Sequence, residues 1–399
     1  MNSQPLNVPA GWRRIKLKYL VALKSGDAIP GEEIKELGEY PVYGGNGFRG
    51  YTSSFTHEGE RILIGRQGAL CGNINYAKGR FWATEHAIVA TPVAEFDTAW
   101  LGETLRAMNL NQYSQSAAQP GIAVEVIENL DIAVPPANEQ RQIASLLRRI
   151  TLPIDALVEE KQRLLHLLAE KRRAVIADLV TKGLDKDAPR RDSGIPWLGE
   201  ISEHWRIERA KWLFTERDDR SDSGDEVLLT VSHLTGVTSR AEKDVNMFMA
   251  ESLEGYKRCQ AGDLVINTLW AWMGAMGVAR QSGIVSPAYN VYQPVAELNP
   301  EYVDLLVRTP RFVEEITRYS KGVWSSRLRL YPEGLYEAWL PVPPLDEQQA
   351  IVKYVQTETQ KLDALAGATE RTIALLQERR SALISAAVTG QIAIGEASA

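Results

Sequence analysis

The chain repeats itself, and the repeat dictates how it is built. Residues 132–143 read IAVPPANEQRQI and residues 340–351 read LPVPPLDEQQAI, an offset of 208. The offset then holds without a gap for about forty residues more. Glu139-Gln140 falls on Glu347-Gln348, Asp155-Ala156-Leu157 on Asp363-Ala364-Leu365, and Val180-Thr181 on Val388-Thr389. Solenoid units run roughly 20–50 residues, so this is a duplicated module: a globular domain followed by one long helix, made twice. Upstream the match is looser. Trp12-Arg13 resembles Trp205-Arg206 and Tyr113-Ser114 resembles Tyr319-Ser320, with the offset drifting from 193 to 206. The helices therefore share one task, and the globular parts have diverged.

Residues 1–137 mix turn residues with short apolar runs such as Tyr40–Tyr43, Arg61–Ile64 and His86–Ala90, which predict short strands. With a helix expected near Thr98–Met108, the domain reads as α+β. Pro135-Pro136 holds the chain extended, and Asn138 is an apt helix N-cap. A heptad follows through Ile143, Leu147, Ile150, Ile154, Leu157, Leu164, Leu168 and Val175, interrupted by Lys161 and Lys171. The second copy keeps Ile351, Val355, Leu362, Leu365, Leu376 and Leu383, interrupted by Thr369 and Arg379. Apolar spacing of three and four predicts that the helices pair as a coiled coil through these residues. Pro153 lies inside the first helix and predicts a kink or restart there. The expected order is a domain over 1–137, a helix over 138–183, a charged linker over 184–196, a second domain over 197–344, a helix over 345–390 and a tail over 391–399.

With 44% hydrophobic and 24% charged residues the 399-residue chain reads as globular. No apolar run approaches the length of a membrane span and the N-terminus lacks the apolar stretch of a signal peptide, so a cytoplasmic protein is expected. Cys71 and Cys259 sit in different modules and suggest neither a disulfide framework nor a metal site. A net charge of −6 argues against a naked nucleic-acid binder. Residues 138–182, with nine Lys and Arg against six Asp and Glu, are basic.

Catalytic and cofactor motifs are missing. Gly45–Gly50 matches G-x-G-x-x-G, but a strand-like stretch follows it where a dinucleotide site needs a helix. The histidines lack metal-ligand spacing. Asp27, Glu33 and Lys35 only faintly resemble a nuclease arrangement. Two stretches point to nucleic acid instead. Residues 308–329 concentrate Arg308, Arg311, Arg318, Lys321, Arg327 and Arg329, interleaved with Tyr319, Trp324, Ser325 and Ser326. Arg and Lys suit phosphates and guanine edges. The aligned stretch of the first module, residues 113–121, offers amides: Gln115 and Gln119, with Gln112 beside them, suit adenine. The glycine loop Gly45-Asn46-Gly47 and the side chains of Arg49, Arg66, Gln67, Lys78 and Arg80, near predicted strand ends, complete the set. Trp270 and Trp272 are expected in the core.

This combination resembles the specificity subunits of type I restriction–modification systems, over nearly the whole chain. The resemblance is carried by the two Pro-Pro-x-x-Glu-Gln helix starts, the heptads at 154–157 and 362–365, the helix ends at 177–184 and 386–392, and the segment DSGIPWLGEISEHW at 192–205. It implies two similar α+β target-recognition domains separated by two long antiparallel coiled-coil helices, with an internal pseudo-twofold repeat. Each domain would read one half of a split, asymmetric double-stranded DNA site. The helices would set the spacing and dock two modification (methyltransferase) subunits. Restriction subunits, carrying motor and nuclease, would complete the complex. The chain itself would be non-catalytic and hold no cofactor or metal, with S-adenosylmethionine, ATP and Mg belonging to the partner subunits. The alternative is a coiled-coil adaptor whose two domains bind proteins. On the first reading, four residues inserted near Leu179–Lys182 would lengthen the unread gap.

Overall fold

A computed structural model describes residues 8–68, 70–114, 120–242, 252–322 and 328–392. Its contacts divide the chain into two units, Met1–Gln162 with Glu370–Ala399, and Arg163–Thr369. The division runs through both long helices, so each unit holds one globular module, the start of that module's own helix and the end of the other.

In the first unit the strands are β1 (Arg13–Lys16), β2 (Val21–Ser25), β3 (Tyr40–Gly44), β4 (Gly47–Thr52), β5 (His57–Glu58), β6 (Arg61–Gly65), β7 (Ile74–Ala77), β8 (Arg80–Ala83) and β9 (Ala87–Pro92). Helices α1 (Thr98–Ala107) and α2 (Val124–Glu128) and strand β10 (Asp131–Val134) lead into α3 (Ala137–Lys182). An antiparallel sheet of order β2-β9-β6-β7 forms the centre, and β3, β4, β5 and β8 make a second sheet. The run Ile62-Leu63-Ile64 is buried on both faces, which is why it reads as continuous rather than alternating. Trp100, Leu101 and Leu105 of α1 fill the core on one side. Ile143, Ala144 and Leu147 of α3 join them.

The second unit repeats this plan with insertions. Strands β11 (Arg190–Asp192), β12 (Glu200–Ser202) and β13 (Arg206–Arg209) precede α4 (Ala210–Leu213) and β14 (Phe214–Arg217). Then come β15 (Leu229–Ser232), β16 (Gly236–Ser239), β17 (Lys257–Cys259), β18 (Leu264–Asn267), β19 (Met276–Val278), β20 (Gly283–Val285) and β21 (Tyr289–Pro294). Helices α5 (Pro300–Val307), α6 (Pro310–Tyr319) and α7 (Pro332–Glu337) and strand β22 (Trp339–Val342) lead into α8 (Leu345–Val388). The central sheet, β14-β21-β18-β19, has the topology of its counterpart. In both modules the strand before the Pro-Pro pair lies antiparallel to the first strand: Arg13 opposite Val134, and Arg206 opposite Val342.

The repeated Glu-Gln pair has a structural task. Gln140 donates to the Pro135 carbonyl at 3.0 Å and accepts from the Asp97 backbone N–H at 3.0 Å. Gln348 does the same with Pro343 at 2.9 Å and Asn299 at 2.8 Å. Asp97 and Asn299 are themselves the N-caps of α1 and α5. Glu139 accepts from the Trp12 indole at 3.0 Å, and Glu347 from that of Trp205 at 3.0 Å. The same tryptophans lie against the far helix. A Cβ on Gly183, at the end of α3, would sit 3.1 Å from Trp205, and one on Gly390, just past α8, 3.3 Å from Trp12. Both glycines have positive φ (+80° and +70°), so they end their helices in a conformation that favours glycine. Each clasp thus joins the start of one helix to the end of the other. Gln348→Ala removes a fully buried amide and orphans the buried Pro343 carbonyl and the half-buried Asn299 N–H. It should destabilise the chain by roughly 2–4 kcal/mol, measured as a lower urea midpoint.

Several sequence expectations shift. The long helix starts at Ala137 with no break at Pro153, and Gln140, not Asn138, satisfies the groups around its start. The segment 184–196 is more than a linker. It contains β11 paired with β12, and Leu184 and Ile195 pack on the second unit's core. The seam also differs. Ile143, Leu147, Leu168, Ile351 and Val355 are buried, and Ile150, Ile154, Leu164, Val175, Leu362, Leu376 and Leu383 half-buried. Leu157 and Leu365, however, are 37% and 48% exposed. Their neighbours Val158 and Ala366 turn inward instead, along with Lys161, Thr359 and Thr369. Leu157 and Leu365 lie about 60° to 80° around the helix from that stripe at roughly 100° per residue, so they flank the seam.

Candidate nucleic-acid interface

The pairing of the helices is antiparallel in each unit. In the first, Arg380 holds Asp155 through two contacts, 2.6 and 3.2 Å. In the second, Arg172 meets Asp363 at 3.4 Å. The residue numbers of both pairs sum to 535, so one register serves both.

The central sheets present the candidate recognition surfaces at one end. In the first unit β6 finishes at Gly65, and Arg66 follows with its backbone N–H on the His86 carbonyl (2.9 Å) and its carbonyl accepting from Ile122 (3.0 Å). The guanidinium of Arg66 donates to Ser25 at 3.1 Å, and Gln67 pairs with the His86 ring at 3.2 Å. Beside them is the turn between β3 and β4. Asn46 accepts from Asn73 at 3.3 Å. A Cβ at Gly45 would lie 2.8 Å from the His86 carbonyl, and one at Gly47 3.0 Å from Asn75. Gly45 is required by close backbone approach and Gly47 by its positive φ of +94°, so G-x-G-x-x-G here reports a packed hairpin and not a cofactor loop. Arg49 folds back over Gly44. Gly45, Asn46, Gly47, Arg49, Arg66 and Gln67 are therefore brought together. Lys78 and Arg80 are not. They follow the other end of β7, where Lys78 lines a groove with Tyr76, Glu103 and Arg148. Arg80 pairs with Glu58 at 3.3 Å and stacks over Phe55 at 5.0 Å. Gln115 and Gln119 lie outside the described residues.

In the second unit the ladder places Thr268 and Leu269 where the first has Arg66 and Gln67. Ile62 pairs with Ala90 as Leu264 pairs with Tyr292, an offset of 202 in both strands. Leu330 donates to the Thr268 carbonyl at 3.0 Å, matching Ile122 on Arg66. Lys321 and Arg329 exchange two backbone hydrogen bonds of 2.9 Å, and both side chains are exposed. Arg318 is held by Glu315 at 3.0 Å and Arg308 by the Leu234 carbonyl at 2.7 Å. Trp324, Ser325, Ser326 and Arg327 lie outside the described residues. Trp270 is 52% exposed, contrary to the expected core position, and Trp272 is half-buried. Sequence reading also missed His86 and Asn73, whose contacts with Gln67 and Asn46 arise only when strands distant in sequence fold side by side.

The acidic surplus around residues 216–226 is largely engaged. Arg258 meets Asp219, Asp222 and Glu226, and Arg217 meets Asp263. Hydrogen bonds from Ser221 and Arg258 hold the Glu226 carboxyl down at about 2. Burial raises the Cys71 thiol, and raises Cys259 to about 11, so neither is a ready nucleophile. No cluster of potential metal ligands occurs among the described residues, and no helix there is long and apolar enough to cross a membrane.

Residues 9–166 match the type I restriction modification DNA specificity domain. The specificity subunit of the type I restriction enzyme EcoprrI from Escherichia coli is 41% identical over 151 residues, 37% of this chain and 38% of that protein. That alignment thus spans well under half of the relative. The specificity subunit of EcoDI, also from Escherichia coli, aligns at 17% identity across 96% of this chain and 89% of its own length. The chain is thus similar to the type I specificity subunits, most strongly over its first module. The fold agrees. A solved structure described as the structural basis of complex assembly and conformational transition of the type I R-M system matches with a TM-score of 0.62. It shares 18% identity and covers 97% of this chain and 100% of that one. The family model covers the first module and its helix as far as residue 166. The internal repeat extends the same plan to the second.

Proposed function

We propose that this chain, as a specificity subunit, reads a split, asymmetric site on double-stranded DNA, one half per module. The observation that carries this is the repeated placement of different side chains on one scaffold. At the same sheet end, where the Arg66 and Thr268 carbonyls accept matching backbone bonds from Ile122 and Leu330, the first module offers Arg66 and Gln67 and the second offers Leu269 in place of Gln67. Shared framework with altered contact residues is what two readers of different bases require. Phosphate contacts would set register while these groups read base edges.

The helices would set the spacing and dock two modification subunits, with restriction subunits completing the complex. In this reading the chain is non-catalytic. Methyl transfer and cleavage, with S-adenosylmethionine, ATP and Mg, belong to those partners. A net charge of −6 gives little counterion release, so the isolated subunit should bind DNA weakly and gain affinity with its methyltransferase. The protein-binding adaptor drew its support from the acidic balance, much of which is spent on ion pairs within the second module.

The test is methylome sequencing of cells carrying the complete complex. Gln67→Ala should relax one base position of the first half-site and leave the second intact. Arg329→Ala should act only on the second. A good bidentate contact contributes roughly 1–3 kcal/mol of discrimination. Equal weakening of every sequence would make these residues phosphate contacts, and unchanged methylation would remove them from the interface.

A further inference from the structure

The turn after β18 is built in an unusual way for an exposed segment. Leu269, Trp270 and Met273 are 41%, 52% and 39% exposed, yet their backbone is closely held. Trp270 donates to Asn267 at 3.0 Å, and its own carbonyl accepts from Met273 at 3.0 Å and Ala275 at 3.1 Å. The Trp272 indole donates to the Leu269 carbonyl at 3.0 Å. The Thr268 hydroxyl is turned away, onto the Ala288 carbonyl at 2.8 Å. A rigid turn thus holds large apolar side chains in water, at the position where the first module places Gln67 and Gly68. Through Leu330 the turn adjoins the exposed Lys321–Arg329 pair, a basic rim suited to phosphate.

We propose that Trp270, supported by Leu269, reads a thymine of the second half-site through its C5 methyl group. The inference rests on the DNA-reading function proposed above and supplies its chemistry in the second module. In the major groove each base edge presents donors and acceptors, and the thymine methyl is the apolar feature. A surface with its hydroxyl engaged elsewhere and an indole and a leucine facing out is mainly apolar, the indole N–H being its side-chain donor. It selects the methyl. The basic rim makes the partner a polyanion and not an apolar protein surface.

The experiment uses the complete complex of this chain with its methyltransferase subunits and a duplex bearing the mapped site. Each thymine of the second half-site is replaced in turn by deoxyuridine, which lacks only the methyl. One replacement should weaken binding by roughly fivefold or more. Trp270→Ala should bind the unmodified duplex weaker by a similar factor and be indifferent to that same replacement. Trp270→Phe should keep part of the sensitivity. Discrimination at the first half-site, unchanged in both variants, shows that the complex is assembled. Tolerance of deoxyuridine at every position by the unaltered complex, or thymine sensitivity retained in Trp270→Ala, overturns the inference while leaving the DNA-reading function standing. A complex without sequence preference in either half overturns both.

Discussion

A seven-residue insertion after Gln162, in α3 alone, should abolish methylation by the assembled complex. Asp155–Arg380 lies before the insertion and Arg172–Asp363 after it, and both obey one index sum. Lengthening one helix makes the two pairs incompatible, and every seam residue on one side loses its partner. A matching heptad inserted in α8 after Thr369 restores the sum and keeps each apolar residue on its face. The doubly lengthened chain should therefore assemble. Its unread gap should grow by about three base pairs, since seven residues add roughly 10 Å at 1.5 Å each and a base pair rises about 3.4 Å. Sequencing of methylated sites reads the result directly. The same half-sites at the original spacing would show that the helices do not set the distance. An insertion at Leu179–Lys182, which the sequence alone recommends, is the wrong place. Leu179 and Val180 are buried in the second unit's core, and Val180 accepts from Tyr302 at 2.9 Å.

Trp205→Ala should cost about 3–5 kcal/mol of stability, in the range of large aromatic truncations in cores. The indole is 2% exposed, donates to Glu347 and packs on Gly183. Its loss leaves a cavity and loosens both helix ends together, with the Glu347 oxygen left to His204 alone at 2.9 Å. Thermal melting of the purified chain measures the loss. Trp12→Ala, at the matching clasp, should cost less because Trp12 is nearer the surface at 8%. Equal and small losses from both would mean that the clasps are surface contacts.

The helices were legible because their periodicity is strict and their two copies align without a gap. A buried stripe recurring every three or four residues needs no knowledge of the rest of the chain. What periodicity could not show is which of two adjacent apolar residues faces inward. Leu157 and Leu365 fit the spacing of three and four, yet Val158 and Ala366 are the residues that face inward. The clasps were written in the sequence as Trp12, Trp205 and the Glu-Gln pairs, but their meaning needed partners over a hundred residues away. The recognition surfaces were least legible. Arg66, Gln67 and the Gly45–Gly47 turn converge only because β3 and β6 end where β9 begins. Lys78 and Arg80, equally basic, lie past the opposite strand ends. Trp270 was misplaced because large aromatics are usually buried, and only the hydrogen-bonded turn beneath it explains its exposure.

The sharing of helix ends between the units also bears on how the protein is made. A chain leaves the ribosome N-terminus first, and domains commonly fold in that order. Here the first module cannot follow that rule. Its core includes Ile384, Ala387 and Val388, and Pro9 waits for Gly390. The second module, by contrast, has its full complement once Thr369 has emerged. The earliest-made half of the protein is thus the last to close, and it spends most of translation with an open apolar groove. A nascent chain of this kind calls for chaperone protection, and a premature stop near its end would damage the half made first.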